Sequence, residues 1–134
     1  MGNSRQTAIV VDCSLVADLL LTPSSFNDEV AEVSIWHAPA LLPVELLSVL
    51  RGHLLAGRLG TEGASGALAD FEQLGVRFWP GDALLGGRVL ALAHNFSAYD
   101  ATYVALAEAL DAPLATRDQR LAKAARSLVD VWEV

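Results

Sequence analysis

The sequence predicts an α/β fold in which a mainly parallel sheet is layered between helices. Three observations predict it. Short runs of β-forming residues ("AIVVD", "SIWHAP", "VRFWP", "APLAT", "VDVWEV") alternate with stretches of helical periodicity. At 134 residues the chain fits one domain, residues 1–134, and is long enough to bury a core. Hydrophobic residues make up 53% and charged residues 19%, which excludes a disordered chain.

Ala8–Asp12 reads as the first strand, and Ser14 is expected to cap a helix to about Leu21. "TPSS" breaks that helix, and Phe26–Val33 reads as a second, short one. "SIWHAP" has the character of an edge strand stopped by Pro39. Leu41 to about Ala56 is the longest helix, and Pro43 is tolerated because it falls in the first turn. Gly57, Gly60, Gly63 and Gly66 punctuate a turn that feeds a helix containing Ala67, Leu68, Phe71 and Leu74, a flexible helical hairpin. "VRFWP" is the third strand. "DALLGGRVLALAHN" is a helix weakened by Gly86 and Gly87, and Ser97 opens another through Leu110. "APLAT" and "VDVWEV" complete the sheet, with a basic helix between them.

The net charge of −7 argues against a simple cationic nucleic-acid binder. Yet Arg117, Arg120, Lys123 and Arg126 recur every third residue, and on one helix they would cover a broad face. That face is either solvated or an RNA contact. The richest apolar segment, "APALLPVELLSVLRG", is interrupted by Pro43, Glu45 and Arg51, well short of the ~18 apolar residues a membrane span requires. No export signal is visible. A single cysteine excludes an internal disulfide and suits a reducing cytoplasm.

Four acids carry the functional reading. In open parallel sheets ligands bind beyond the carboxyl ends of strands, which is where Asp12 emerges. Glu45 has Leu41, Leu42 and Val49 as helical neighbours, and a carboxylate on an apolar face needs a cation or a donor. Asp100 follows Ser97 in a capping-box-like pattern, and Asp118 stands between a strand and a helix. Each also has a structural reading: a turn for Asp12, a helix-edge position for Glu45, caps for the other two. As a set, they can meet at one rim of the sheet. Converging carboxylates repel one another, a hard divalent cation relieves the repulsion, and all-oxygen ligation selects Mg²⁺ or Mn²⁺ over zinc.

"VVDCSLVADLL", "PALLPVELLSVLRG", "SAYDATYVALAEAL" and "LATRDQRLAKAA", in this order and spacing, resemble the PIN-domain ribonucleases, above all the VapC toxins of bacterial type II toxin–antitoxin systems. The resemblance spans nearly the whole chain. It implies a PIN-like three-layer α/β/α fold and a Mg²⁺-dependent endoribonuclease acting on structured RNA such as tRNA or ribosomal RNA. It also implies inhibition by a VapB-type antitoxin and a homodimer. Asp12, Glu45, Asp100 and Asp118 match the family's acidic quartet, and Ser14 and Thr116 match the hydroxyl positions that orient it. On this reading Asp12 and Asp100 are the principal metal ligands, Asp118 completes the charge and Glu45 orients or deprotonates the attacking water. Arg117, Arg120 and Lys123 are candidate RNA contacts. Cys13 and Asn95 depart from the pattern: the first stands where a small residue is expected, the second where a glycine often ends the helix.

His37, His53 and His94 lack metal-ligand spacing, Cys13 reads as a small buried hydrophobe, and Trp36, Trp79 and Trp132 read as core or interface. Two rival functions remain. A non-catalytic PIN-fold binding module would need none of the acids. A receiver-like signalling domain would need a lysine at a strand end, whereas the one lysine, Lys123, sits inside the expected basic helix.

Overall fold

The computed structural model describes residues 7–22 and 34–134. Five strands, β1 (Thr7–Val11), β2 (Ser34–Pro39), β3 (Arg77–Trp79), β4 (Leu114–Thr116) and β5 (Val131–Glu133), form one sheet in the order β3-β2-β1-β4-β5. Every pairing is parallel. The described helices are α1 (Cys13–Leu21), α2 (Leu42–Leu55), α3 (Thr61–Gln73), α4 (Ala83–Ala91), α5 (Ala98–Leu110) and α6 (Gln119–Ala125).

β1 is central because its Ile9, Val10 and Val11 suit burial on both faces, and all three are 0% exposed. The chain runs from β1 outward to β2 and β3, then returns past them to β4 and β5. Right-handed crossovers therefore lay α1, α2 and α3 on one face and α4, α5 and α6 on the other. α1 packs on α2 and α3, while α5 packs on β1, β2, β4 and α4. Alanines 101, 105 and 107 are buried in α5 and bring it close to the sheet. The strand order reverses between β1 and β4. Such a switch point opens a crevice beyond the strands' carboxyl ends.

Several expectations need correction. β2 is an interior strand: Pro39 is tolerated because it is the last residue, paired with Trp79, and Ala40 N–H continues the contact to the Trp79 carbonyl at 2.8 Å. α1 is capped by Asp12, which accepts from Leu15 N–H at 3.1 Å, so Ser14 lies inside the helix. Only Gly57 (φ +72°) and Gly60 belong to the turn between α2 and α3; Gly63 and Gly66 lie within α3. The helix expected around Gly86 and Gly87 is present, as α4, and both glycines lie within it. Asn95 does not adopt the left-handed conformation a helix-ending glycine takes; the one non-glycine with positive φ among the described residues is Asp111 (φ 50°), the C-cap of α5. The helix expected at Phe26–Val33 lies outside the described residues.

Candidate active site at the sheet switch point

Asp12 is the first residue beyond β1, beside the end of β4, because Val11 pairs with Ala115. That register sets its carboxylate against Thr116, whose hydroxyl donates to Oδ2 at 2.6 Å. Ser14 Oγ lies 2.8 Å from Oδ1 and 3.0 Å from Oδ2, and the two hydroxyls are 3.2 Å apart. Ser14 Oγ also accepts from Arg117 N–H, and Thr116 Oγ1 from Asp118 N–H, each at 3.0 Å. Sequence-distant residues thus share one network. Burial raises the Asp12 pKa, the bonds from Thr116, Ser14 and Leu15 oppose that rise, and the Asp118 charge adds to it.

Asp118 ends the connection from β4 and caps α6, accepting from Leu121 N–H at 3.1 Å. Asp100 lies in the first turn of α5. Its N–H donates to the Ser97 hydroxyl at 3.1 Å, which is one half of a capping box. Its carboxylate turns instead to Arg120 Nη2 at 2.9 Å, and the same nitrogen is 3.6 Å from Asp118 Oδ2. Glu45 projects from the first turn of α2, half-buried, and the Tyr103 hydroxyl donates to its Oε1 at 2.5 Å. Burial raises the Glu45 pKa and the charges of Asp100 and Asp12 add to the rise, while the Tyr103 bond opposes it.

Asp12 therefore feels the charge of Asp118, and Glu45 the charges of Asp100 and Asp12. Among the described residues, however, no three Asp, Glu, His or Cys side chains close on one point as metal ligands do, and Arg120 stands between Asp100 and Asp118. The donor set itself fits a hard divalent cation: every candidate ligand is a carboxylate oxygen, and the like charges that raise the pKa values of Asp12 and Glu45 are relieved by a cation. Two hollows open around these acids. One of about 400 Å³ is lined by Cys13, Glu45, Ser48 and Val49. The other, of about 460 Å³, includes Asp18, Thr116, Arg117 and Asp118 in its lining.

The basic stretch is not one uninterrupted face. α6 begins only after its cap at Asp118, so Arg117 precedes the helix and Arg126 is its C-cap. Arg117 lies 3.5 Å from Asp18, Arg120 bridges the two site acids, and Arg126 meets Glu133 at 2.8 Å, while Lys123 is exposed. The histidines stay outside the quartet. His37 Nδ1 accepts from the Trp79 indole at 2.9 Å, His53 Nδ1 accepts from Arg58 at 3.1 Å, and His94 is exposed. Trp36 is in the core, Trp132 is half-buried and Trp79 is partly exposed on β3. Cys13 is half-buried, and burial with the charges of Glu45 and Asp12 pushes its thiol up to about 12, which leaves it no thiolate character at neutral pH. Sequence reasoning missed Tyr103. The available signal is its spacing, three residues after Asp100 and hence on the same side of α5.

The class that fold and site define is an α/β protein with a carboxylate cluster at the switch point of its sheet. Residues 9–127 match the PIN domain family, and the chain belongs to that family. It is 39% identical over 113 residues to "VapC ribonuclease Mb0985" of Mycobacterium bovis, covering 84% of this chain and 87% of that one. Among solved structures it is similar to PAE2754 from Pyrobaculum aerophilum, with a TM-score of 0.72, 20% identity and coverage of 93% and 84%. It is also similar to VapBC2 from Rickettsia felis, solved with a promoter DNA fragment, with a TM-score of 0.67, 14% identity and coverage of 95% and 100%. At those identities the two structures speak for the fold alone.

Proposed function

We propose that this chain is a Mg²⁺-dependent endoribonuclease, with Mn²⁺ able to substitute, and the toxin of a type II toxin–antitoxin pair. The carrying observation is the gathering of Asp12, Glu45, Asp100 and Asp118 at the switch point, in a chain 39% identical to a ribonuclease of the same family. Asp12 and Asp100 would hold the cation, and Asp118 would complete the charge around it. Thr116 and Ser14 fix the Asp12 carboxylate through their hydroxyls. Glu45 takes a proton from the attacking water as the water oxygen bonds to phosphorus and the P–O3′ bond breaks, and the departing 3′-oxygen takes a proton from solvent to leave a 3′-hydroxyl. Magnesium, when bound, supplies charge stabilisation at the phosphoryl oxygens and a lower pKa for water. Arg117, Arg120 and Lys123 approach the RNA backbone, with Arg120 exchanging its carboxylate partners for phosphate.

The same reading gives a VapB-type antitoxin as partner, a homodimer, a tRNA or ribosomal RNA substrate and a cytoplasmic site of action. Among the described residues no helix is long and apolar enough to cross a membrane. Support for the antitoxin comes from the 39% identity to a VapC ribonuclease, with which the fold shared with the Rickettsia felis VapBC2 protein agrees.

The test is cleavage of bulk RNA by purified protein, with Mg²⁺ or a chelator, beside Asp100→Asn. The expected products carry 5′-phosphate and 3′-hydroxyl ends, because the nucleophile is water. A substrate with one 2′-deoxy nucleotide 5′ of the scissile bond is still cut. A cyclic phosphate product or metal-independent cleavage overturns the mechanism, and absent activity leaves the binding-module alternative.

A further inference from the structure

The buried hydroxyl of Tyr103 has no role in the chemistry just described. The tyrosine is 2% exposed, and its ring belongs to the core cluster that includes Val104, Leu106 and Leu46. A ring so packed leaves its hydroxyl oxygen little positional freedom. Glu45, by contrast, is half-buried at the start of another helix, with three side-chain torsions to be fixed. The two elements meet at one bond, Tyr103 O–H to Glu45 Oε1 at 2.5 Å, the length of a charge-assisted hydroxyl–carboxylate hydrogen bond. α5 therefore carries both Asp100 and, one turn on, the donor that reaches the acid on α2.

We propose that Tyr103 is a positioning residue for hydrolysis: its hydroxyl pins Glu45 Oε1, so that Oε2 is presented to the attacking water in one orientation. This rests on the reading of Glu45 as the group that receives the water's proton. The bland alternative runs the other way, with Glu45 merely satisfying a buried phenol.

The two directions separate in Tyr103→Phe, which keeps the ring and removes the donor. Loss of orientation lowers kcat by about 10–100-fold, the usual consequence of losing a supporting hydrogen bond, with KM and Mn²⁺ affinity within about twofold of wild type. A second readout needs neither metal nor turnover. The chain has 2 tyrosines, and Tyr99 is 65% exposed. A downfield, slowly exchanging phenolic proton, correlated to a tyrosine ring, therefore belongs to Tyr103, and it moves upfield in Glu45→Gln as the acceptor loses its charge. Full kcat in Tyr103→Phe beside an inactive Glu45→Gln overturns the proposal while the role of Glu45 stands. Activity in both variants overturns the role of Glu45 and the proposal with it. Should Tyr103→Phe fail to fold, the proton signal decides: its absence in wild type, or its indifference to Glu45→Gln, overturns the bond on which the proposal stands.

Discussion

The two sides of the site hold their carboxylates differently. At the β1–β4 corner, Asp12 is 6% exposed and engaged by Thr116, Ser14 and Leu15, and Asp118 caps a helix from the same network. Across the crevice, Glu45 and Asp100 stand on helices, and their carboxylates meet one phenol and one exposed arginine. The corner acids serve the fold as well as the proposed chemistry. The helix-borne acids serve the fold little. Mutation should therefore couple activity to stability on one side and separate them on the other.

The largest expected effect breaks or keeps that contrast directly. Glu45→Gln and Asp100→Asn lower RNA cleavage by about 10²–10⁴-fold or to below detection, with melting temperatures near that of wild type. Asp12→Ala loses cleavage too, but also loses a helix cap and leaves two hydroxyl donors without their acceptor, a destabilisation of about 2–4 kcal/mol. Thermal melts with a cleavage assay check both. An Asp12→Ala protein as stable as wild type would erase the difference between the two sides.

How much of this was legible in sequence follows the same division. β1 and Asp12 were readable because a short apolar run buried on both faces ends on a charge, a local pattern. α2 and α5 were readable for similar reasons, and so was the position of each of the four acids on or beside its element. The network joining Ser14 to Thr116 depends on the β1–β4 register, and the Tyr103–Glu45 bond on helix packing, so neither leaves a local trace. The interior position of β2 was missed because a terminal proline looks the same at the end of an edge strand as at the end of a central one. The basic residues were misread as one helix face because Asp118 starts α6 later than their spacing implies.

A smaller effect sharpens the corner. Thr116→Val keeps the shape and removes a hydroxyl that donates to Asp12 and accepts from Asp118 N–H. It should cost about 1–3 kcal/mol and weaken metal-dependent activity about 10–100-fold, measured by denaturant unfolding and by Mg²⁺ titration of the rate. Mg²⁺ itself, at about 100 times its Kd, should stabilise the wild type by ~2.7 kcal/mol, and Asp12→Asn clearly less. Equal melting shifts in the two proteins would place the ion elsewhere.

The smallest effect concerns pH, read in chelator as the melting-temperature difference between Glu45→Gln and wild type. Burial raises the Glu45 pKa above its ordinary value of 4.5 in the fold. Below that value the carboxyl is protonated in both folded and unfolded chains, and it imposes no cost. As pH rises the unfolded chain releases the proton first, so the native state binds more protons and wild-type stability falls until the folded group has also ionised. Glutamine has no proton to lose and still offers Tyr103 an acceptor. The difference should therefore be near zero at about pH 4, grow in favour of Glu45→Gln towards neutrality and level off above the folded pKa. If it grew in favour of wild type, the Tyr103 bond would outweigh burial and the neighbouring charges. Glu45 would then be held as firmly by its single bond as Asp12 is by its network, and the contrast between the two sides would fail.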